Sequence, residues 1–156
     1  MASGEDRPGS RHDICVASEA TNLARIAEFV GDRARLAGLD DDRVFEIQMA
    51  VDEACTNAIS HAYQGQGDGL VYICCYEEGS DFVVSVTDHG RPFDPNSVPA
   101  PRLDAPLEKR EIGGLGLYLM RQMTDSIAFS FDERLGNRVV MHKHRKVRPS
   151  ERHAPL

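Results

Sequence analysis

Three short groups of residues have the types and spacing that chemistry requires. The first is the segment 51–58, with the sequence VDEACTNA, in which Glu53 and Asn57 are four positions apart. On a helix this spacing places both side chains on one face, beside an apolar stripe. A carboxylate and a carboxamide on one face can jointly line a pocket. Two solvated helix residues would have the same spacing, so this group alone leaves both interpretations open.

The second group ends an apolar run at 82–87. Asp88 follows that run, Gly90 comes two residues later, and Pro92 follows. A carboxylate at a strand end can accept a hydrogen bond from a ligand amine, and a glycine beside it lets the backbone approach closely. An ordinary turn that contains Asp and Gly is the alternative interpretation.

The third group is the glycine cluster GGLGL at 113–117, which precedes a helical pattern. Backbone N–H groups and the positive end of a helix dipole at such a place favour phosphate binding. A Rossmann fingerprint would follow a strand directly, and a Walker A loop would have Lys and Ser or Thr after its last glycine. Neither pattern is present, and a helix entry with flexible glycines remains an alternative.

The elements that position these groups follow from hydrophobic periodicity. Strands are expected at 13–17, 70–77, 82–88, 127–131 and 138–142, and helices at 19–36, from the Asp40 cluster to the glycines at 65–69, and at 113–124. This order predicts an α/β sandwich with the helices on one sheet face. The segment 90–112 holds five prolines and no sustained periodicity. It is therefore expected to be a functional lid, residues 91–112, or a disordered segment.

Composition narrows the class of protein. The chain has 156 residues, 41% hydrophobic and 28% charged, and a formal net charge of −7, which predicts one globular domain. Residues 1–12 are rich in Gly, Ser, Arg and Asp, and residues 146–156 are basic and contain proline, so flexible tails are expected on either side of a domain at 13–145. The negative charge argues against nucleic-acid binding. The absence of an apolar run of ~20 residues argues against membrane insertion, so a cytoplasmic protein is expected. The four cysteines form no two-spaced pair and are expected to be reduced and buried.

Taken together and in this order, the three groups resemble the N, G1 and G2 boxes of the GHKL, or Bergerat-fold, ATP-binding domain. The resemblance covers residues 13–145. The segment EACTNAISHAY at 53–63, the cluster GGLGL and the closing GNRV at 136–139 are similar to the anti-sigma-factor serine kinases of the RsbW and SpoIIAB type. The resemblance implies a two-layer α/β sandwich with a mixed, mostly antiparallel sheet, about three helices on one face, and an ATP lid.

The resemblance also implies roles for individual residues. Glu53 would be the general base, and Asn57 would be the Mg²⁺ ligand. Asp88 would bind the adenine amine, beside Gly90 and Pro92. The remaining cofactor-binding residues would cradle the phosphates of ATP: Gly113, Gly114, Leu115, Gly116 and Leu117. Arg25, in the first helix, would contact a partner protein, although a solvated arginine would fit that position equally.

The function implied is that of an ATP-dependent protein serine/threonine kinase that also sequesters a sigma factor. Its substrate would be a STAS-type antagonist protein, and it would form a homodimer. A non-catalytic module of the same fold, whose partner binding depends on ATP, is one alternative. The catalytic domain of a histidine kinase is another, but that domain works beside a helical hairpin, and only one helix is expected before residue 40.

Two departures from the family pattern stand out. Histidine-kinase relatives have a Thr near the closing strand, where this chain has Asn137 and Arg138. Asp52 lies beside Glu53, so two acids are available as the base.

His142 and His144 share one strand face, but no acid or cysteine is near them in sequence, and a polar strand end is expected there rather than a metal site.

Overall fold

The structure is a computed structural model that describes residues 10–92, 94–97 and 114–145. Its strands are β1 (His12–Ala17), β2 (Leu70–Glu78), β3 (Asp81–Asp88), β4 (Ser126–Asp132) and β5 (Gly136–His144). Its α-helices are α1 (Leu23–Leu36), α2 (Asp41–Asn57) and α3 (Gly114–Met123). Short 3₁₀ turns lie at Ala20–Asn22 and Pro95–Ser97, and a π-helical turn, Ala58–Ala62, follows α2.

The five strands form one sheet in the order β1-β2-β3-β5-β4. Each of the four pairings between these described strands is antiparallel. The register places Val71 of β2 and Asn137 of β5 on either side of Asp88, the last residue of β3. The central strand therefore delivers Asp88 to one end of the sheet with a polar neighbour already beside it.

The core lies between one face of this sheet and the three helices. On β3 the alternating residues Phe82, Val84 and Val86 are buried, and on β5 so are Val139 and Met141. The helices cover them with apolar stripes, which include Ile26 and Val30 of α1, Ile47, Val51 and Ala54 of α2, and Leu117 and Met120 of α3. On β3 the intervening residues Val83 and Ser85 are buried as well, on the opposite face of the sheet. The three helices on one face of the sheet confirm the predicted two-layer α/β sandwich.

Several element bounds differ from the sequence-based expectation; β5, for example, is Gly136–His144 rather than 138–142. The first helix begins with the 3₁₀ turn Ala20–Asn22, and its α-helical part starts only at Leu23. Strand β1 already includes His12, which had been placed in the tail. The second helix changes after Asn57 from α-helical to π-helical hydrogen bonding, where the Tyr63 N–H donates to the Ala58 carbonyl over 3.0 Å. Periodicity alone does not detect such a change, because one extra residue per turn is a local backbone event.

Several sequence-based expectations fall outside the described residues or need correction. Most of the expected lid, residues 93 and 98–112, and the expected tail at 146–156 lie outside the described residues.

The cysteines are free thiols, as expected, but only Cys55 and Cys75 are buried. Cys15 is exposed because β1 is an edge strand and its side chain lies on the sheet face away from the helices. Within the described part of the chain, no helix is both long and apolar enough to span a bilayer.

Candidate active site

Helix α2 brings the first group of residues to the site. The side chain of Asp40 caps the helix by accepting a hydrogen bond from the Arg43 N–H over 2.9 Å, and two more acids occupy the first turn. Negative charge at a helix N-terminus is favourable, so this start is well defined. Because the apolar stripe of α2 packs on the sheet, Glu53 and Asn57 come to lie, half-buried, on the flank of the helix.

That flank faces the start of α3. A Cβ atom added at Gly116 would lie 2.8 Å from Glu53 Oε2 and 3.9 Å from Asn57 Oδ1. A side chain at this position would therefore require the Glu53 carboxylate to move from where it lies. Gly116 allows the second helix to hold its acid and its amide against the N-terminal turn of α3, where N–H groups without helical partners are available to an anion.

Burial raises the pKa of Glu53 above its ordinary value, and repulsion from the neighbouring Asp52 carboxylate raises it further. Burial likewise raises the pKa of Asp52. A carboxylate whose pKa moves toward neutral pH becomes a stronger proton acceptor while it remains ionised. The environment of Glu53 is therefore suited to general-base chemistry, but it destabilises the folded chain when the Glu53 carboxylate is ionised.

The raised pKa of Glu53 leads to a testable prediction about the stability of the folded chain. Since the pKa of Glu53 is higher in the folded than in the unfolded chain, the unfolded chain loses this proton first as pH rises, and stability falls. Glu53→Gln should therefore raise the melting temperature at about pH 7, and its advantage should shrink toward about pH 4, where the carboxyl is protonated in both states. Calorimetry across this range is the measurement, with exposed Glu28→Gln as the control. A constant difference between variant and wild type would contradict the prediction.

Asp88 is held by its surroundings in one orientation. Its Oδ1 atom accepts hydrogen bonds from the Gly90 N–H over 2.9 Å and from Nδ2 of Asn137 over 2.8 Å. The same Nδ2 donates to the Gly90 carbonyl over 2.9 Å. Because Oδ1 already accepts two bonds, Oδ2 is the oxygen that remains for a ligand amine. Asn137, which the sequence analysis noted as a departure from the family pattern, thus contacts the Asp88 carboxylate directly.

Gly90 is required here for a reason that the sequence did not reveal. A Cβ atom at this position would lie 2.5 Å from the carbonyl oxygen of Ala62, at the end of the π-helical turn. The Arg91 N–H donates to the same carbonyl over 2.8 Å. The close approach that glycine allows is therefore, in this structure, an approach of helix backbone to loop backbone.

Asp88 and Asn57 lie on the wall of a cleft with an empty volume of about 440 Å³. Most of the cleft wall is apolar, and it includes Ala54, Ala58, Val86, Met120, Phe129 and Val139. A narrow apolar slot with one oriented carboxylate is suited to a flat heteroaromatic ring that carries an amino group. A second cleft of about 640 Å³, lined in part by Gly90 and Pro92, shares Phe131 and Asn137 with the first.

The other predicted site residues lie in different parts of the fold, and not all of them are near the cleft. Gly114 and Leu115 lie in the first turn of α3, whereas Gly113 lies outside the described residues. The Leu117 side chain is buried in the core, so only its backbone is available to a ligand. Arg25 is exposed on α1, away from the residues that line the cleft. The structure thus brings together Glu53, Asn57, Asp88, Gly90 and Gly116 and leaves Arg25 apart.

Residues 16–143 match the histidine kinase-like ATPase domain family. The chain belongs to this family. Within this ATPase family it is 30% identical over 140 residues to the serine-protein kinase RsbW of Listeria innocua, with 87% of each chain covered. It is 33% identical over 129 residues to the anti-sigma F factor of Halalkalibacterium halodurans, covering 81% of this chain and 86% of the relative. The prediction of an RsbW-type protein serine/threonine kinase is confirmed by these relatives.

A solved structure supports the fold of this family member independently. The RsbU and RsbW domains of Rv1364c from Mycobacterium tuberculosis superimpose with a TM-score of 0.63 at 14% identity. The match covers 88% of this chain and 33% of the larger protein. At this low identity the comparison concerns the fold alone.

Sequence reasoning did not assign several residues that the structure places at the site. Asn137 had been noted only as a departure, yet it fixes the Asp88 carboxylate. Ala54 and Ala58, small residues on one turn of the second helix, line the cleft beside Asn57. Their four-residue spacing is visible in the sequence, but small apolar residues at that spacing fit a core stripe and a cleft wall equally.

Proposed function

We propose that this chain transfers the γ-phosphoryl group of ATP to a serine or threonine of a STAS-type antagonist protein. In its other state it sequesters a sigma factor, so that phosphorylation of the antagonist controls release of the sigma factor. This assignment places it in the cytoplasm, where sigma factors act. The observation that carries the proposal is the placement of Glu53 and Asn57 against the start of α3, next to the cleft that Asp88 lines.

The cleft supports ATP as the phosphoryl donor. Its apolar walls would hold the adenine ring, and the free Oδ2 of Asp88 would accept a hydrogen bond from the 6-amino group. The phosphates would then extend toward the start of α3, where the backbone of Gly114 and Gly116 is available. Asn57 lines the cleft together with Asp88 and also lies near Gly116, so a single nucleotide would contact all three.

The oxygen atoms beside the cleft fit Mg²⁺. Nδ2 of Asn57 is 3.9 Å from the Met120 sulfur, and its Oδ1 points toward Gly116, where phosphates would lie. Among the described residues no cluster of three or more His, Cys, Asp or Glu could hold a metal ion. Mg²⁺ in such sites usually keeps several waters and binds substrate phosphates with only one or two protein oxygens, and the Asn57 amide oxygen would be such a ligand. When bound, Mg²⁺ would neutralise negative charge on the phosphates.

Glu53 would act on the acceptor side of the reaction. Its carboxylate would take the proton from the substrate hydroxyl as the hydroxyl oxygen attacks the γ-phosphorus and the bond to ADP breaks. Its raised pKa favours this proton transfer. Arg25, exposed on α1, is the proposed contact with a protein partner, and a homodimer is the proposed assembly.

The direct test is incubation of the purified chain with γ-labelled ATP, Mg²⁺ and the STAS protein encoded beside it. The expected result is label on one serine or threonine of the STAS protein, mapped by mass spectrometry, with none when Mg²⁺ is chelated. Binding of ATP and of the STAS protein without any transfer would overturn the kinase assignment in favour of an ATP-gated binding module.

A further inference from the structure

We infer that Tyr63 is a positioning residue that holds the adenine-binding loop in place for Asp88. This inference rests on the proposed use of ATP and assigns a further residue to the same site. The loop concerned is 88–91, called here the Asp88 loop. Tyr63 lies at the end of the π-helical turn, outside the residues that line either cleft. Its ring packs against the core, and its hydroxyl group hydrogen-bonds to the backbone.

The Tyr63 hydroxyl bridges two backbones at the end of the β2–β3 ladder. It accepts a hydrogen bond from the His89 N–H over 2.7 Å and donates one to the Leu70 carbonyl over 2.8 Å. Since Val71 pairs with Asp88, the next pair in this register is Leu70 with His89. The Tyr63 hydroxyl therefore links the backbones at the ends of β2 and β3, where the Asp88 loop leaves the sheet.

The π-helical turn is what aims this end of the helix at the loop. The added residue in the turn rotates the following side chains relative to a continuous α-helix. Ala62 and Tyr63 consequently reach the Asp88 loop together: the Ala62 carbonyl accepts from the Arg91 N–H over 2.8 Å, and Tyr63 accepts from the His89 N–H. Both neighbours of Gly90 are thus bonded to consecutive residues of the helix end.

Gly69 makes room for the tyrosine ring. A Cβ atom at this position would lie 2.4 Å from Cε1 and 2.6 Å from Cγ of Tyr63. Gly69 is itself fixed, because its N–H donates to the Ser18 hydroxyl over 3.1 Å. Gly69 and its hydrogen bond to Ser18 therefore hold the Tyr63 ring in one position.

These contacts complete the support of Asp88. Asn137 holds its carboxylate from the β5 side, and Tyr63 holds the adjoining backbone from the helix side. Because the end of the same helix that carries Glu53 and Asn57 also grips the loop, the adenine-binding and phosphate-facing parts of the site are joined through Tyr63.

The test compares Tyr63→Phe with Tyr76→Phe, which removes the hydroxyl of a β2 tyrosine whose ring lies under Arg11. Binding is measured by calorimetry for ATP and for purine riboside triphosphate, which lacks the 6-amino group. Tyr63→Phe should weaken ATP binding roughly three- to tenfold, the usual worth of one or two hydrogen bonds. It should weaken binding of the analogue less than about twofold, since that ligand offers Asp88 no hydrogen to accept. Tyr76→Phe should change neither.

A second variant approaches the same contact from the other side. Gly69→Ala should displace the ring and reproduce the ATP-specific loss, and the turnover number for phosphoryl transfer at saturating ATP should stay near wild type in both variants. Equal weakening for both nucleotides, or none for either, would overturn the positioning role. Wild-type protein that binds neither nucleotide would overturn the proposed function and this inference together, whereas normal ATP binding by Tyr63→Phe overturns the inference alone.

Discussion

Glu53→Gln should lower the rate of phosphoryl transfer to the STAS substrate by roughly 10²–10⁴, the usual contribution of a general base. The substitution keeps the shape of the side chain and its fit against Gly116, but it removes the proton acceptor. Asn57 and Asp88 are unchanged, so ATP affinity should stay within about threefold of wild type. Single-turnover kinetics with labelled ATP measures the transfer step, and calorimetry measures the binding.

Asp52→Asn is the matched control for this experiment. It neutralises the neighbouring carboxylate, whose charge raises the pKa of Glu53, but leaves Glu53 itself in place. Transfer by Asp52→Asn should therefore remain within about tenfold of wild type. If Asp52→Asn abolishes transfer and Glu53→Gln preserves it, Asp52 is the base and the assignment to Glu53 is wrong. Sigma-factor binding should survive both substitutions, since sequestration requires no proton transfer.

Asp88→Asn should weaken ATP binding at least tenfold, which corresponds to about 1.4 kcal/mol. Two donors, the Gly90 N–H and Nδ2 of Asn137, both point at the Oδ1 position. The asparagine oxygen must occupy that position to satisfy them, so its amide hydrogens turn toward the ligand. A donor would then face the adenine amine, which is also a donor.

The same geometry predicts a change of base preference. Inosine triphosphate carries a 6-keto acceptor in place of the amine, so Asp88→Asn should bind it more tightly than wild type does. Exposed Asp32→Asn on α1 is the control for loss of one charge and should leave both affinities unchanged. Calorimetry with the two nucleotides decides the point. A folded Asp88→Asn protein with wild-type affinity for ATP would contradict the adenine assignment.

The sequence by itself determined the order of the elements and the position of the three functional groups along the chain. The β-rich apolar runs at 70–77 and 82–88 and the period-3.6 stripe through Val44, Ile47 and Val51 are set by neighbours that are near in sequence. The glycine cluster before α3 and the Glu53–Asn57 pair are likewise local patterns. This is why the α/β sandwich and the family could be predicted before any coordinates were considered.

Tertiary structure decided which side chains meet. Asn137 reaches Asp88 because β5 pairs with β3 in one register, and a slip of one residue would turn it to the other face. In the same way β3 brings Asp81 between His142 and His144, with contacts of 3.1 and 2.6 Å, although no acid is near those histidines in sequence. Strand register is a long-range property that local periodicity does not specify.

The helix ends were also decided by the fold. Three features depend on how a helix is rotated against its neighbours. They are the hydrogen bond of the Tyr63 hydroxyl, the contact of Ala62 with Gly90 and the buried position of Leu117. A π-helical turn changes that rotation for every residue after it. The sequence therefore indicated which residues could bind a nucleotide, and the packing of helices on a register-fixed sheet determined how those residues are oriented and which others hold them.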